Sequence, residues 1–187
     1  IRQSCEAAAK WPERIRVAVN ISAYQLHSPG LVDVIKDALR ISQLSAERLE
    51  IEITESEKLD KSIALPVLQE IRSLGIEIAM DDLGTGYAAL DYLLIYPFTR
   101  IKIARTLVDK LQQDNASQYL IVMLIQFAHK YNMSVTAEGV ETAQQRDILR
   151  DIECQNVQGY FFSYPLRERE VLSAFAKEVI EEGLCNV

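Results

Sequence analysis

The stretch IEIAMDDLGTGYAAL, Ile76 to Leu90, decides the fold: a short apolar run ends in two adjacent carboxylates, then in a loop punctuated by Gly84 and Gly86. Ile76, Ile78 and Met80 alternate with Glu77 and Ala79, which predicts a mostly buried strand of about five residues with both acids at its C-terminal end. Two neighbouring Asp side chains repel unless a cation lies between or beside them. Asp81 and Asp82 therefore point to a hard-metal site or a strongly coupled acid pair. One Asp would be enough to cap a helix starting near Tyr87; two, followed by two glycines, make capping alone the weaker account.

Upstream, IRVAVNIS (Ile15 to Ser22) predicts a strand ending at Asn20, and Leu49 to Ile53 a second, with Glu52 near its end and Glu55 just beyond. Downstream, RIKIA (Arg100 to Ala104) predicts a fourth strand carrying Lys102. Met133 to Ala137 is the fifth, ending at Glu138, and Gln155 to Gln158 a short sixth before Gly159. Helices are predicted between them. Leu31 to Leu39 has the apolar spacing of one face, and Ile63 to Leu74 is closed by Gly75, with Pro66 in its first turn. A long helix runs to Tyr131, capped by Asn115 with Gln118 in a capping-box relation. Thr142 to Arg150 and Glu168 to Glu182 complete the set. Strand and helix alternate throughout, which means a parallel sheet with crossover helices, and such folds do their chemistry at the C-terminal ends of the strands. Taken singly, Asn20 reads as a turn former, Glu52 as a partner for an Arg and Gln158 as a loop brace. Six successive strands ending in oxygen ligands or an amine would instead converge on one pocket: Asn20, Glu52, Asp81 with Asp82, Lys102, Glu138 and Gln158.

The composition narrows what that pocket does. A chain of 187 residues with 49% apolar content suffices for one domain with a sizeable core. A net charge of −7 argues against holding long nucleic acid through its phosphates, while a small anion held through metal stays open. Cys5, Cys154 and Cys185 are widely spaced and suggest neither a disulfide framework nor a zinc site, consistent with a reducing cytoplasm. The most apolar run, Tyr119 to Ala128, is shorter than the roughly 20 residues a bilayer needs and reads as a buried helix. The opening, IRQSCEAAAKW, reads as the tail of a helix already under way. Carboxylates and an amide oxygen, without His or Cys, suit magnesium, manganese or calcium. Two such cations sharing one Asp would clamp the attacking and leaving oxygens of a phosphoryl displacement. Lys102 would then orient a phosphate oxygen or the attacking water, or neutralise the acidic rim by ion pairing. His27 and His129 lie at no strand end. GTGYAA also fits a dinucleotide-binding fingerprint, but the two Asp before it would repel a pyrophosphate.

In order and spacing, VNIS with Asn20, EITES (Glu52 to Ser56), DDLGTGYAAL, KIAR from Lys102, AEGVET (Ala137 to Thr142) and VQGYFFSYPL (Val157 to Leu166) resemble the successive motifs of the EAL domain. The resemblance implies an α/β fold, a TIM-like (β/α) barrel whose first strand and helix are missing here. It also implies a single EAL-type domain over residues 1–187, using two magnesium or manganese ions to hydrolyse cyclic di-GMP to linear pGpG in bacterial second-messenger signalling. Some members of the family are instead inactive receptors for cyclic di-GMP or for a protein partner. By the same resemblance, Asn20, Glu52 and Asp81 hold one metal, and Asp81 and Asp82 reach a second with help from Glu138. Lys102 contacts water or phosphate, Glu138 assists proton transfer, and Gln158 completes the rim. Glu55 braces the loop containing Gly84, Thr85 and Gly86, which couples the site to a homodimer; Glu141 stands behind the ligands. Flanking sensory or cyclase domains are implied, as is a cytoplasmic setting with tethering to the inner membrane through other domains of the parent. The chain departs from the family in four places. The Glu-Ala-Leu motif of the first strand is absent, Ala104 replaces the Asp of K-I-D, Tyr24 stands where Arg is common, and Leu83, Ala88 and Ala89 replace Phe and two Ser.

Overall fold

The computed structural model describes residues 1–54, 59–84, 89–113 and 115–174. The expectations for Glu55, Thr85, Gly86 and Ala88, for a helix start at Tyr87 and for the later part of the last helix fall outside these residues. Among the described residues six strands pair in parallel and in sequential order: β1 (Val17–Asn20), β2 (Leu49–Thr54), β3 (Glu77–Leu83), β4 (Arg100–Ile103), β5 (Ser134–Ala137) and β6 (Asn156–Val157). Helix α1 (Arg2–Ala8) precedes β1. The crossovers carry α2 (Ala23–Leu26) and α3 (Leu31–Ser42), then α4 (Lys61–Ser73), α5 (Ala89–Ile95), α6 (Arg105–Val108) with α7 (Asn115–Lys130), and α8 (Ala143–Asp151); residues 168–174 are again helical. The sheet curls into a half-barrel of TIM-like type.

Alternation along the strands separates an apolar outer layer from a polar concave one. Leu49, Ile51, Ile78, Ile101 and Val135 are fully buried in one cluster with Ile35 of α3, Leu68 and Ile71 of α4 and Ile121 of α7. Burying each such side chain stabilises the fold by about 1.5–3 kcal/mol. The residues between them, Glu50, Glu52, Arg100, Lys102 and Thr136, point the other way and meet one another inside the curl. The strand ends step along the first half of the sheet, Asn20 at the end of β1 lying opposite Glu52 and Thr54 at the end of β2 opposite Asp81, and then finish level, Leu83 opposite Ile103 and Ile103 opposite Ala137. At the other end of the strands Arg48 donates to the carbonyls of Ile15 (2.8 Å) and Ala8 (2.7 Å), tying α1 to the start of β1. The run from Tyr119 to Ala128 lies within α7, where Ile121, Leu124, Ile125 and Ala128 are buried. No helix among the described residues is long and apolar enough to cross a membrane.

Three sequence expectations are corrected. Strand β3 runs on to Leu83 instead of ending at Met80, so both acids lie within it. Helix α4 starts two residues early because Asp60 caps it, accepting the Ser62 N–H at 2.9 Å, and Pro66 therefore lies beyond the first turn. Asn115 is itself the first helical residue of α7, not its cap.

Candidate active site

The two acids are brought together by an irregularity of the backbone. Between Met80 and Leu83 strand β3 takes three steps while β4 takes two, from Ile101 to Ile103, so one extra residue is accommodated in a bulge. Asp82 sits there with φ 57°, the left-handed region that Asp tolerates better than most residues. A regular strand would send neighbouring side chains to opposite faces. In the bulge, an oxygen of Asp81, one of Asp82 and one of Glu138 all lie within 4.8 Å of one another. The Asp82 N–H donates to Asp81 Oδ1 at 3.0 Å, which fixes one carboxylate against the other's backbone.

Lys102 lies at the centre of this rim. Its Nζ is 2.7 Å from Glu52 Oε1, 2.7 Å from Glu138 Oε1 and 3.1 Å from Asp81 Oδ1, and its side chain is only 8% exposed. Burial alone would push the Lys102 amine down, but hydrogen bonds to Glu138 and Glu52 outweigh it and hold the amine above its ordinary value. The group is therefore a permanent cation and a donor. Burial pushes the carboxyls of Glu52 and Glu138 up, with Lys102 pulling the other way. Three acids crowded around one ammonium leave the rim short of positive charge.

The remaining expected residues fall around this centre. Asn20 is exposed at the end of β1, directly beside Glu52. Gln158 follows β6, and its N–H donates to the Ala137 carbonyl at 2.8 Å, placing it next to Glu138. Together with Arg105, Glu141 and Tyr160 these two border a cavity of about 230 Å³. Gly84 follows β3 directly, with φ 106°. Glu141 stands back from the cluster and pairs with Arg105 at 2.8 Å. Sequence reasoning gave Arg105 and Tyr160 no role. The available signal was position alone, since Arg105 follows the end of β4 and Tyr160 comes two residues after Gln158.

The donor set decides which ions fit. Asp81, Asp82, Glu138 and Glu52 are carboxylates, Asn20 offers an amide oxygen, and no His or Cys belongs to the cluster among the described residues. Such hard oxygen donors fit magnesium, manganese or calcium and do not suit zinc or copper.

A family model described as the EAL domain matches residues 1–165. The chain is 40% identical over 157 residues, 82% of its own length, to the cyclic di-GMP phosphodiesterase NbdA of Pseudomonas aeruginosa. It spans between about a fifth and a quarter of the length of the curated relatives it matches. Among solved structures it is similar to the MucR phosphodiesterase of the same organism in complex with cyclic di-GMP, with 31% identity and a TM-score of 0.85 over 91% of this chain and 71% of that one. It is also similar to BlrP1 of Klebsiella pneumoniae in complex with manganese and cyclic di-GMP, with 27% identity and a TM-score of 0.84 over 89% of this chain and 43% of that one. With the ordered motifs, the parallel half-barrel and the acidic rim in agreement, the chain belongs to the EAL domain family.

Proposed function

We propose that this chain is a single phosphodiesterase domain that hydrolyses cyclic di-GMP to linear pGpG with magnesium or manganese. The observation that carries the reading is the convergence of Asp81, Asp82 and Glu138 oxygens within 4.8 Å at the strand ends, with Lys102 against them. Asn20, Glu52 and Asp81 would hold one cation, and Asp81, Asp82 and Glu138 the second. Two such ions, when bound, make water a nucleophile near neutral pH and neutralise phosphate charge. The residues themselves position and exchange protons. Lys102, held protonated, donates to a phosphate oxygen or to the attacking water. Glu138, its carboxyl raised by burial, accepts a proton from that water. Gln158 closes the rim beside Glu138 and orients the nucleotide, and Gly84 directly follows the strand that carries the acids. Glu141 holds Arg105 at the edge of the cavity. In the parent protein we place the domain in the cytoplasm as a homodimer, beside sensory or cyclase domains or a membrane tether. The greater length of the curated relatives supports such additional domains.

A receptor that binds cyclic di-GMP without turnover is the second reading, favoured by one observation: Ala104, at the end of β4, supplies no carboxylate where the family has Asp. One assay separates the two. The full chain is incubated with cyclic di-GMP and manganese, and the nucleotide is followed by chromatography beside the Asp81→Asn variant. The enzyme reading expects linear product that stops on chelation and falls by at least about a hundredfold in the variant. Bound but unchanged nucleotide supports the receptor, and an Asp81→Asn variant as active as the parent overturns the metal assignment.

A further inference from the structure

Below the rim lies a second charged layer that takes no part in the proposed chemistry. Its centre is Arg100, on the concave face of β4 two residues before Lys102, with a side chain 14% exposed. Its Nε donates to Glu50 Oε2 on β2 at 2.7 Å, its Nη2 lies 3.3 Å from Glu77 Oε2 on β3, and its Nη1 donates to Thr136 Oγ1 on β5 at 3.2 Å. One guanidinium therefore touches or belongs to all four strands that carry the charged rim residues. Glu50 precedes Glu52 by two residues, Thr136 precedes Glu138 by two, and Glu77 precedes Asp81 by four. Ala79 lies between Glu52 and Arg100 in register, and its small side chain lets Arg100 cross β3 to reach β2.

Lys102 repeats the move one layer higher, crossing β3 to Glu52 at 2.7 Å. The two crossings differ in one respect. The oxygens of the upper one are those a cation would share, so metal loading must loosen it. The lower one uses none of those oxygens, and Glu77 keeps a separate partner in Arg16 at 2.6 Å. We infer that Arg100 and Glu50 are positioning residues of the metal site: their ion pair fixes the separation of β2 and β4, and with Glu77 and Thr136 it holds Glu52, Asp81 and Glu138 at the spacing a divalent cation requires. The planar fork of Arg reaches its three acceptors from three separate nitrogens held in one rigid plane, which fixes their spacing; a Lys in its place keeps the charge and loses that fork.

This inference rests on the reading of the rim as a metal site, and its test separates the two. Manganese binding to the metal-free full chain is measured by calorimetry without nucleotide, beside thermal unfolding in chelator. Two variants are compared. Glu50→Leu with Arg100→Met removes both charges together and orphans neither, since Glu77 retains Arg16, and such paired replacements often keep stability. Arg100→Lys keeps the charge alone. The expected result is a parental Tm in the double variant with manganese bound at least about tenfold more weakly, the loss that outer supports of a metal site typically cause. Arg100→Lys is weakened in the same direction. Parental affinity in the double variant makes the pair merely structural and overturns the inference. Should the double variant not fold, Arg100→Lys decides by the same criterion. No manganese binding by the parent chain overturns the metal reading itself, and this inference with it.

Discussion

Asp82 carries two burdens at once, a carboxylate for the rim and a backbone at φ 57° that lets it and Asp81 face the same way. These separate by substitution. Asn tolerates the left-handed region at least as well as Asp, and Gly better, whereas Ala pays about 1–2 kcal/mol there. Asp82→Asn and Asp82→Gly are expected to unfold near the parental temperature and Asp82→Ala several degrees lower. All three should bind manganese at least about tenfold more weakly, the loss even an outer-sphere partner costs. Thermal unfolding and calorimetry on the same samples check both halves. A weakened site in Ala alone would mean that the bulge matters and the carboxylate does not.

At the scale of elements, the junction between β5 and β6 sets where Glu138 and Gln158 stand. The Val140 N–H donates to the Gln158 carbonyl at 3.0 Å, and the Phe161 N–H donates to the Val140 carbonyl at 3.0 Å. Gly159 lies flat against this backbone: a Cβ there would come within 2.1 Å of the Val140 carbonyl oxygen and 2.3 Å of its nitrogen. Neither atom can swing away as a flexible side chain would. Gly159→Ala is expected to cost at least about 2 kcal/mol, lowering Tm by roughly 4 °C or more in a chain of this size. An unchanged Tm would show that the two strand ends are not locked together in this way.

The strand ends themselves were legible in the sequence because alternation marks a strand and a polar residue or glycine breaks it. Asn20, Glu52, Lys102, Glu138 and Gln158 all stand at or beside the ends their patterns predicted. The bulge was not legible. Two consecutive acids look like the end of a strand, and nothing local says that Leu83 returns to the core at 1% exposure. Helix α2 has four residues, too few for a period, and its capping box between Ser22 and Gln25 was its sole local signal. Pro66 was placed by the ordinary preference of proline for a first turn, and the cap at Asp60 overrode it. Arg100 was visible only as the first letter of a strand, because its partners lie up to 50 residues away.

For the whole molecule, the decisive quantity is the balance of charge inside the curl. Burial raises the carboxyls of Glu52 and Glu138 above the ordinary value of 4.5 despite Lys102. A carboxyl raised in the folded state contributes stability below its unfolded value and loses it as pH rises through the folded one. A bound cation favours the ionised forms and offsets that loss. The gain in Tm from manganese over chelator should therefore grow between about pH 5 and about pH 7. An equal gain at both would mean that these two carboxylates do not meet the ion.

The central claim is that the strand-end acids hold the ions at which a cyclic dinucleotide is cut. It is tested most directly by diffraction at the manganese absorption edge from crystals of the full chain soaked with manganese and cyclic di-GMP. The account predicts anomalous density at the rim, one peak beside Asn20, Glu52 and Asp81 and another beside Asp81, Asp82 and Glu138. A rim without anomalous density, at a manganese concentration that supports hydrolysis in solution, would contradict it.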